Sequence, residues 1–198
     1  AGPSIGIKFS NGVVLLGKNT DDSVSLTQDE KIYRINERTV AIVGGLYADS
    51  NLLVNYARVK AQEHLREYDQ EMSPHLVGKT ICKLKQKFTQ QGGMRPFGVS
   101  FIIGGYDNRN EYRMYATDPS GTLTEWRAYA FGEGEKHINP VLDRVPEECS
   151  REEAVQLAFQ ALAATSEGSL NNPHSISGCV IYYDERTGTH VVQNMTQE

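Results

Sequence analysis

The sequence predicts an α+β fold of two mostly antiparallel sheets covered by pairs of helices. Three observations lead to this class. Segments with strand and helix patterns follow in the order strands, two helices, strands, two helices, strands. Neither half alternates single strands with single helices, which disfavours a doubly wound parallel sheet. Apolar residues make up 39% of the 198 and charged residues 23%, and no linker interrupts them, so we expect one domain over 1–198.

The first half of the chain predicts four strands followed by two helices. Short apolar runs indicate strands at residues 4–9, 13–17, 32–35 and 40–44, and Asn11-Gly12 is a strong hairpin turn between the first two. Apolar residues at helical spacing predict a helix over residues 48–68, with Leu52, Tyr56 and Val59 facing the core. Ser73-Pro74 starts the next helix, whose expected buried side chains are Leu76, Val77, Ile81, Leu84 and Phe88.

The second half predicts strands, two helices and a closing hairpin. Residues 98–105 are apolar and partly β-branched, as in a buried strand, and residues 111–117 alternate between two faces after a polar turn. We expect further strands at 122–126 and 129–132, helices at 135–144 and 150–166, and a last hairpin pairing 178–183 with 190–193. Ser150 and Glu153 form a capping box at the second of these helices. Residues 168–173 read as a polar loop.

Charge and composition exclude several classes of function. The net charge is −5, and Lys79, Lys83 and Lys87 recur at the spacing of one solvated helix face, so no nucleic-acid surface is expected. No apolar run approaches the ~20 residues of a membrane span. Three widely spaced cysteines without a C-x-x-C pair indicate free thiols in a reducing compartment. The dispersed histidines form no metal motif, so we expect no metal and no other cofactor.

The central motifs identify a family. Arg95-Pro96-Phe97-Gly98 precedes one predicted strand and Asp118-Pro119-Ser120-Gly121 follows another, and Trp126-Arg127-Ala128 comes next. With the segments around Gly6 and Lys31, these motifs resemble, in this order and over nearly the whole chain, α-type subunits of the proteasome. The resemblance implies a four-layer αββα sandwich. The amino-acid sequence of the first two predicted strands is similar to that of the α2 type, although residues 30–33 resemble the α3 type as well.

The same fold is shared with N-terminal nucleophile hydrolases, but the residues of that chemistry are missing here. A hydroxyl or thiol on residue 1 must attack, with the α-amine as its base; residue 1 is Ala1, and the threonine of catalytic β-type subunits would fall near Gly2. Ser4 has a hydroxyl but lies within the first strand. The supporting acid is replaced by Lys18, and Glu133 stands where active subunits favour a small hydroxyl residue. We therefore expect no catalytic residue, although Lys31 matches the catalytic lysine in position.

The resemblance implies a non-catalytic ring subunit of the proteasome core particle, in cytoplasm and nucleus if the source is eukaryotic. Its partners would be neighbouring α-type subunits, β-type subunits and regulatory caps in ATP- and ubiquitin-dependent degradation. Lys31 would then meet the C-terminal carboxylate of a cap in a pocket between subunits. The resemblance begins after the opening helix of the family, so we expect no gate residue among residues 1–198. Two alternatives stay open: a divergent N-terminal nucleophile peptidase, and a free-standing binding module on the same scaffold.

Overall fold

Ten strands and four helices make up the part of the chain that the computed structural model describes, which is residues 2–19, 31–90, 92, 95–165 and 176–195. The strands are β1 Ser4–Phe9, β2 Gly12–Lys18, β3 Ile32–Asn36, β4 Thr39–Gly45, β5 Val99–Tyr106, β6 Tyr112–Thr117, β7 Leu123–Glu125, β8 Ala128–Phe131, β9 Ile176–Asp184 and β10 Thr189–Met195. The helices are α1 Tyr47–Tyr68, α2 Pro74–Gln90, α3 Glu135–Leu142 and α4 Arg151–Ala163. Every predicted element in these ranges is present. Residues 168–173 and Ala1 lie outside the described residues.

The strands form two five-stranded sheets with different orders. The first sheet has the order β10-β9-β2-β1-β8 and the second the order β3-β4-β5-β6-β7, and all pairs described are antiparallel. The Asn11-Gly12 turn sets the β1–β2 register, in which Ile7 lies opposite Val14. Because side chains alternate along each strand, both faces of each sheet carry apolar residues and both must be covered.

Three apolar clusters fill the spaces between four layers. One lies between the first sheet and α3 with α4, one between the second sheet and α1 with α2, and the third between the two sheets. The sheets approach closely at Gly6, where an added Cβ would lie 2.7 Å from the sulfur of Met114 on the facing sheet. The four-layer αββα sandwich is therefore confirmed.

The predicted core stripe of α1 is wrong. Leu52 and Val59 are 51% and 54% exposed, and the buried face instead carries Leu53, Val54, Ala57 and Ala61. The small alanine side chains let the helix backbone lie close to the second sheet, which turns the larger Leu52 and Val59 outward. In α2 the predicted burial of Leu76 is also wrong, because this side chain is exposed in the first turn.

The turns behave as the sequence predicts, and the Ser150 half of the predicted capping box is present. Ser150 caps α4 by accepting a hydrogen bond from the backbone N–H of Glu153 at 3.2 Å. Asp118 accepts the backbone N–H of Thr122 at 3.0 Å within its own turn. Arg95 anchors its turn by a bidentate pair with Asp49 at the start of α1, at 2.7 and 2.8 Å. These local bonds fix the loops that connect the helix and sheet layers.

Candidate functional site

Three chain segments meet at one end of the sandwich, beside the first strand pair. Gly2 and Pro3 lead into β1, Lys18 ends β2, and Lys31 immediately precedes β3. Ser4 lies opposite Gly17, so the antiparallel register brings the start of β1 to the end of β2. The side chain of Lys31 passes beside Gly17, because a Cβ added to that glycine would lie 3.0 Å from the Lys31 side-chain carbons. The site thus depends on residues that are far apart in the sequence.

The Lys31 ammonium uses all three of its N–H donors on backbone carbonyl groups. Its Nζ donates to the oxygens of Gly2 at 2.9 Å, Pro3 at 3.3 Å and Lys18 at 3.0 Å. The residue is only 8% exposed. Burial lowers the pKa of Lys31 from 10.5 to about 8. The ammonium therefore holds the residues that precede β1 next to the end of β2.

Gly2 lies at the position where a nucleophile beside Lys31 would be needed. A Cβ built on Gly2 would be 3.7 Å from the Lys31 Nζ, but only 2.1 Å from the carbonyl oxygen of Lys18. No real Cβ approaches a backbone oxygen so closely, so no side chain fits here unless the backbone moves. The structure brings Gly2 and Lys31 together, as the sequence predicts, and leaves no space for a hydroxyl between them.

The other predicted positions supply no reactive group. Ser4 is fully buried, and among the described residues its Oγ has no hydrogen-bond partner. Lys18 contacts the Lys31 ammonium through its backbone carbonyl oxygen rather than through its side chain. Residues 132–134 follow β8, whose last residue Phe131 pairs with Ser4, so this stretch does lie near the site, with an exposed Glu133. In the described part of the chain, no group of three His, Cys, Asp or Glu residues could hold a metal ion.

A second buried lysine was missed by the sequence interpretation. Lys85 is 0% exposed, and its Nζ donates to Val99 O at 2.6 Å, Thr117 Oγ1 at 3.0 Å and Asp118 O at 3.0 Å. Burial lowers its pKa to about 8. A signal was present, because Lys85 follows Ile81 by four residues and shares the apolar face of α2. The predicted solvated face of Lys79, Lys83 and Lys87 is confirmed, since all three are exposed.

The outer face of α1 carries exposed apolar side chains. We call Leu46, Tyr47, Leu52 and Val59 the α1 surface, and each of them is at least half exposed. Contiguous exposed apolar side chains mark contact sites on soluble proteins, and Leu52 and Val59 share one face of α1. The three cysteines are free and buried. No helix among the described residues is long and apolar enough to cross a membrane.

Comparisons with known proteins agree with this geometry. A family model described as "Proteasome subunit" matches residues 1–183. The chain is 37% identical over 173 residues to "Proteasome subunit alpha type-3" of Saccharomyces cerevisiae, covering 85% of this chain and 67% of the relative. It is 38% identical to "Proteasome subunit alpha type-4-A" of Arabidopsis thaliana, covering 85% and 69%. It is also 38% identical to "Proteasome subunit alpha" of Methanocaldococcus jannaschii, covering 90% and 68%. None of these three names supports the α2 interpretation, which stays a guess.

Proposed function

The chain belongs to the proteasome subunit family, and we propose that it is a non-catalytic α-ring subunit of the core particle. One observation carries the non-catalytic part of the proposal. The position beside Lys31 is occupied by Gly2, at which a Cβ would collide with a carbonyl oxygen at 2.1 Å. A hydroxyl nucleophile needs that Cβ, and the lysine that would assist it already donates its three N–H groups to backbone carbonyl oxygens.

A peptidase assay tests the absence of catalysis. The chain and its Ser4→Ala and Lys31→Ala variants are incubated with a fluorogenic peptide, and we expect no turnover that depends on either residue. A residual rate that is equal in all three proteins comes from contamination. A rate that either substitution abolishes would restore the divergent N-terminal nucleophile peptidase, which at present has no observation in its favour.

The α1 surface supports the assembly part of the proposal. Leu52 and Val59 lie seven residues apart on one exposed helix face, with Leu46 and Tyr47 at its N-terminal end. Covering such side chains removes apolar area from water, at roughly 25 cal/mol per Å². We propose that a neighbouring α-type or β-type subunit covers this face. A free-standing binding module, the other alternative, would leave it exposed.

Native mass spectrometry of co-expressed subunits tests this assembly. We expect Leu52→Asp and Val59→Asp to remove the chain from the assembled particle, because each puts a carboxylate into an apolar contact. Gln62→Asp is the matched control, since it adds the same charge to an exposed position of α1 without removing an apolar side chain. Equal incorporation of all three variants would contradict a role of the α1 surface in the ring.

We also propose that Lys31 binds the C-terminal carboxylate of a regulatory cap. Its ammonium is the charge type that such a group requires, and because all three of its N–H groups are bonded, the carboxylate has to displace at least one of the carbonyl oxygens that they reach. The structure changes the choice of variant, because Lys31→Glu would place a carboxylate against three carbonyl oxygens. Lys31→Met is therefore used for the test.

The matched control for cap docking is Lys85→Met. Both lysines are buried, and each donates to three oxygens, but Lys85 lies between α2 and the second sheet. We expect cap affinity in reconstituted particles to fall for Lys31→Met and to stay unchanged for Lys85→Met. Equal losses would indicate a general effect of stability and remove Lys31 from the site. Within this proposal the particle acts in ATP- and ubiquitin-dependent degradation in cytoplasm and nucleus.

A further inference from the structure

A cleft of about 740 Å³ lies at the end of the sandwich opposite Lys31. Three connections form its rim: the β1–β2 turn with Asn11, the β5–β6 turn with Asn110, and the β7–β8 link with Trp126. Its volume is in the range of small-ligand sites. Neither Lys31 nor any residue of the α1 surface lines this cleft.

One wall of the cleft presents two cations from adjacent strands. The Lys8 N–H donates to the Arg127 carbonyl oxygen at 2.7 Å, which continues the β1–β8 ladder and places the two residues side by side. Gly6 faces the second sheet, so Lys8, two residues further on, faces the same way. Among the residues described, neither the Lys8 ammonium nor the Arg127 guanidinium has a hydrogen bond or ion pair. Both are available to a ligand.

The opposite wall is acidic and already paired. Arg113, Glu111 and Glu125 line the cleft, and Arg113 forms ion pairs with Glu111 at 3.1 Å and with Glu125 at 2.9 Å. Two carboxylates around one guanidinium leave this wall with a net negative charge. A ligand with several negative charges would be repelled from it, whereas a single carboxylate can lie against Lys8 and Arg127 on the other side.

Aromatic rings complete the lining. Trp126 is 42% exposed at the rim, and Tyr183 and Tyr112 also line the cleft. The hydroxyl of Tyr112 is bonded to His190 Nδ1 at 2.6 Å, so this residue offers its ring rather than its hydroxyl. An exposed tryptophan next to unpaired cations is suited to a flat apolar group attached to an anion.

We propose that this cleft binds a peptide segment in which one carboxylate lies next to an aromatic side chain. Lys8 and Arg127 hold the carboxylate, and Trp126 with Tyr183 contacts the ring. The carboxylate belongs either to a chain terminus or to an acidic side chain, since both offer the same two oxygens. This activity is separate from ring assembly and does not depend on the proposed function.

Trp126 is also the reporter for the test, because the sequence contains a single tryptophan. Its fluorescence, excited at the red edge where phenylalanine does not absorb, is followed while the full chain is titrated with three probes. N-acetyl-phenylalanine carries a terminal carboxylate, N-acetyl-aspartyl-phenylalanine amide carries a side-chain carboxylate, and N-acetyl-phenylalanine amide carries none. We expect a saturable change in fluorescence with at least one acid probe, and an affinity for the amide that is weaker by about tenfold or more. The tighter acid probe identifies the source of the carboxylate.

Variants locate the binding in the cleft. Lys8→Gln and Arg127→Gln are each expected to raise the Kd of the acid probe about tenfold or more, whereas Lys83→Gln removes the same charge from exposed α2 and should leave it unchanged. The proposal is overturned if neither acid probe gives a saturable change, if the amide binds as tightly, or if Lys83→Gln weakens binding as much as the cleft variants. Tighter binding of phenyl phosphate would also overturn it, because that result assigns the cleft to a doubly charged ligand.

Discussion

Replacing Lys31 by methionine tests whether its buried ammonium stabilises the fold. Methionine keeps an unbranched side chain of similar size but has no N–H donors. In the native chain those donors reach Gly2, Pro3 and Lys18 at 2.9, 3.3 and 3.0 Å. The variant therefore removes the bonds that join the lead of β1 to the end of β2 and keeps most of the packing.

Two opposing terms decide the sign of this change. A hydrogen bond from a charged group contributes about 1.5–3 kcal/mol, so three such bonds contribute roughly 4–9 kcal/mol. Burial opposes them, because a pKa lowered from 10.5 to about 8 corresponds to roughly 3 kcal/mol. The bonds outweigh the burial, and we expect Lys31→Met to lower the free energy of unfolding by about 1–6 kcal/mol.

Urea unfolding at neutral pH measures this difference, with an unchanged m value as the sign that both proteins unfold in the same way. A variant as stable as the native chain, or more stable, would refute the reasoning. That outcome would mean that the cost of burying the ammonium exceeds the bonds it makes, as replacement of some buried charges by apolar side chains has indicated.

The remaining predictions concern the pH dependence of stability, the ion pair that anchors the Arg95 turn, and the replacement of Gly2. The pKa of Lys31 is about 8 in the folded state and 10.5 in the unfolded state, so between these pH values the unfolded state binds more protons. The free energy of unfolding of the native chain, relative to Lys31→Met, should therefore rise by about 1.4 kcal/mol per pH unit between pH 8 and 10.5. A difference that stays constant with pH in urea titrations would contradict this. Lys85→Met should show the same slope, since the pKa of Lys85 is also about 8. Asp49→Asn weakens the bidentate pair with Arg95 and should lower the midpoint of thermal unfolding, whereas an unchanged midpoint would make that pair a solvated surface contact. Gly2→Ala should destabilise the chain by about 1–3 kcal/mol through its collision with a carbonyl oxygen, and an unchanged unfolding midpoint would show that the backbone moves freely.

The positions of the elements could be predicted because their signals are local. The Asn11-Gly12 turn and the Ser150 cap act within a few residues, and both behave as expected. The choice of which face of α1 is buried does not depend on local signals. Leu52 and Val59 have the spacing of a buried face, but Ala57 and Ala61 allow closer packing on the sheet and so decide which face is buried. The pattern of apolar residues alone does not show how closely the helix backbone can approach the sheet.

The candidate site divides in the same way. Gly2 and Lys31 could be named from the sequence, because their motifs resemble those of a known family. Their contact could not be predicted, because it depends on the pairing of β1 with β2. The N–H groups of Lys31 also donate to backbone carbonyl oxygens, which every residue has and which therefore give no signal in the sequence. Lys85 was missed because it lies among exposed lysines that conceal its place on the apolar face.

By itself, the sequence determined the fold class, the order of the elements, their turns and the family, since periodicity, turn chemistry and motifs are properties of neighbouring residues. Only the tertiary structure decided that Gly2 has no room for a Cβ, that Lys31 is bonded to three carbonyl oxygens, and that Lys8 and Arg127 lie side by side in one cleft. The physical reason is that burial and side-chain pairing arise where distant segments pack, and their energies depend on distances that no single segment contains.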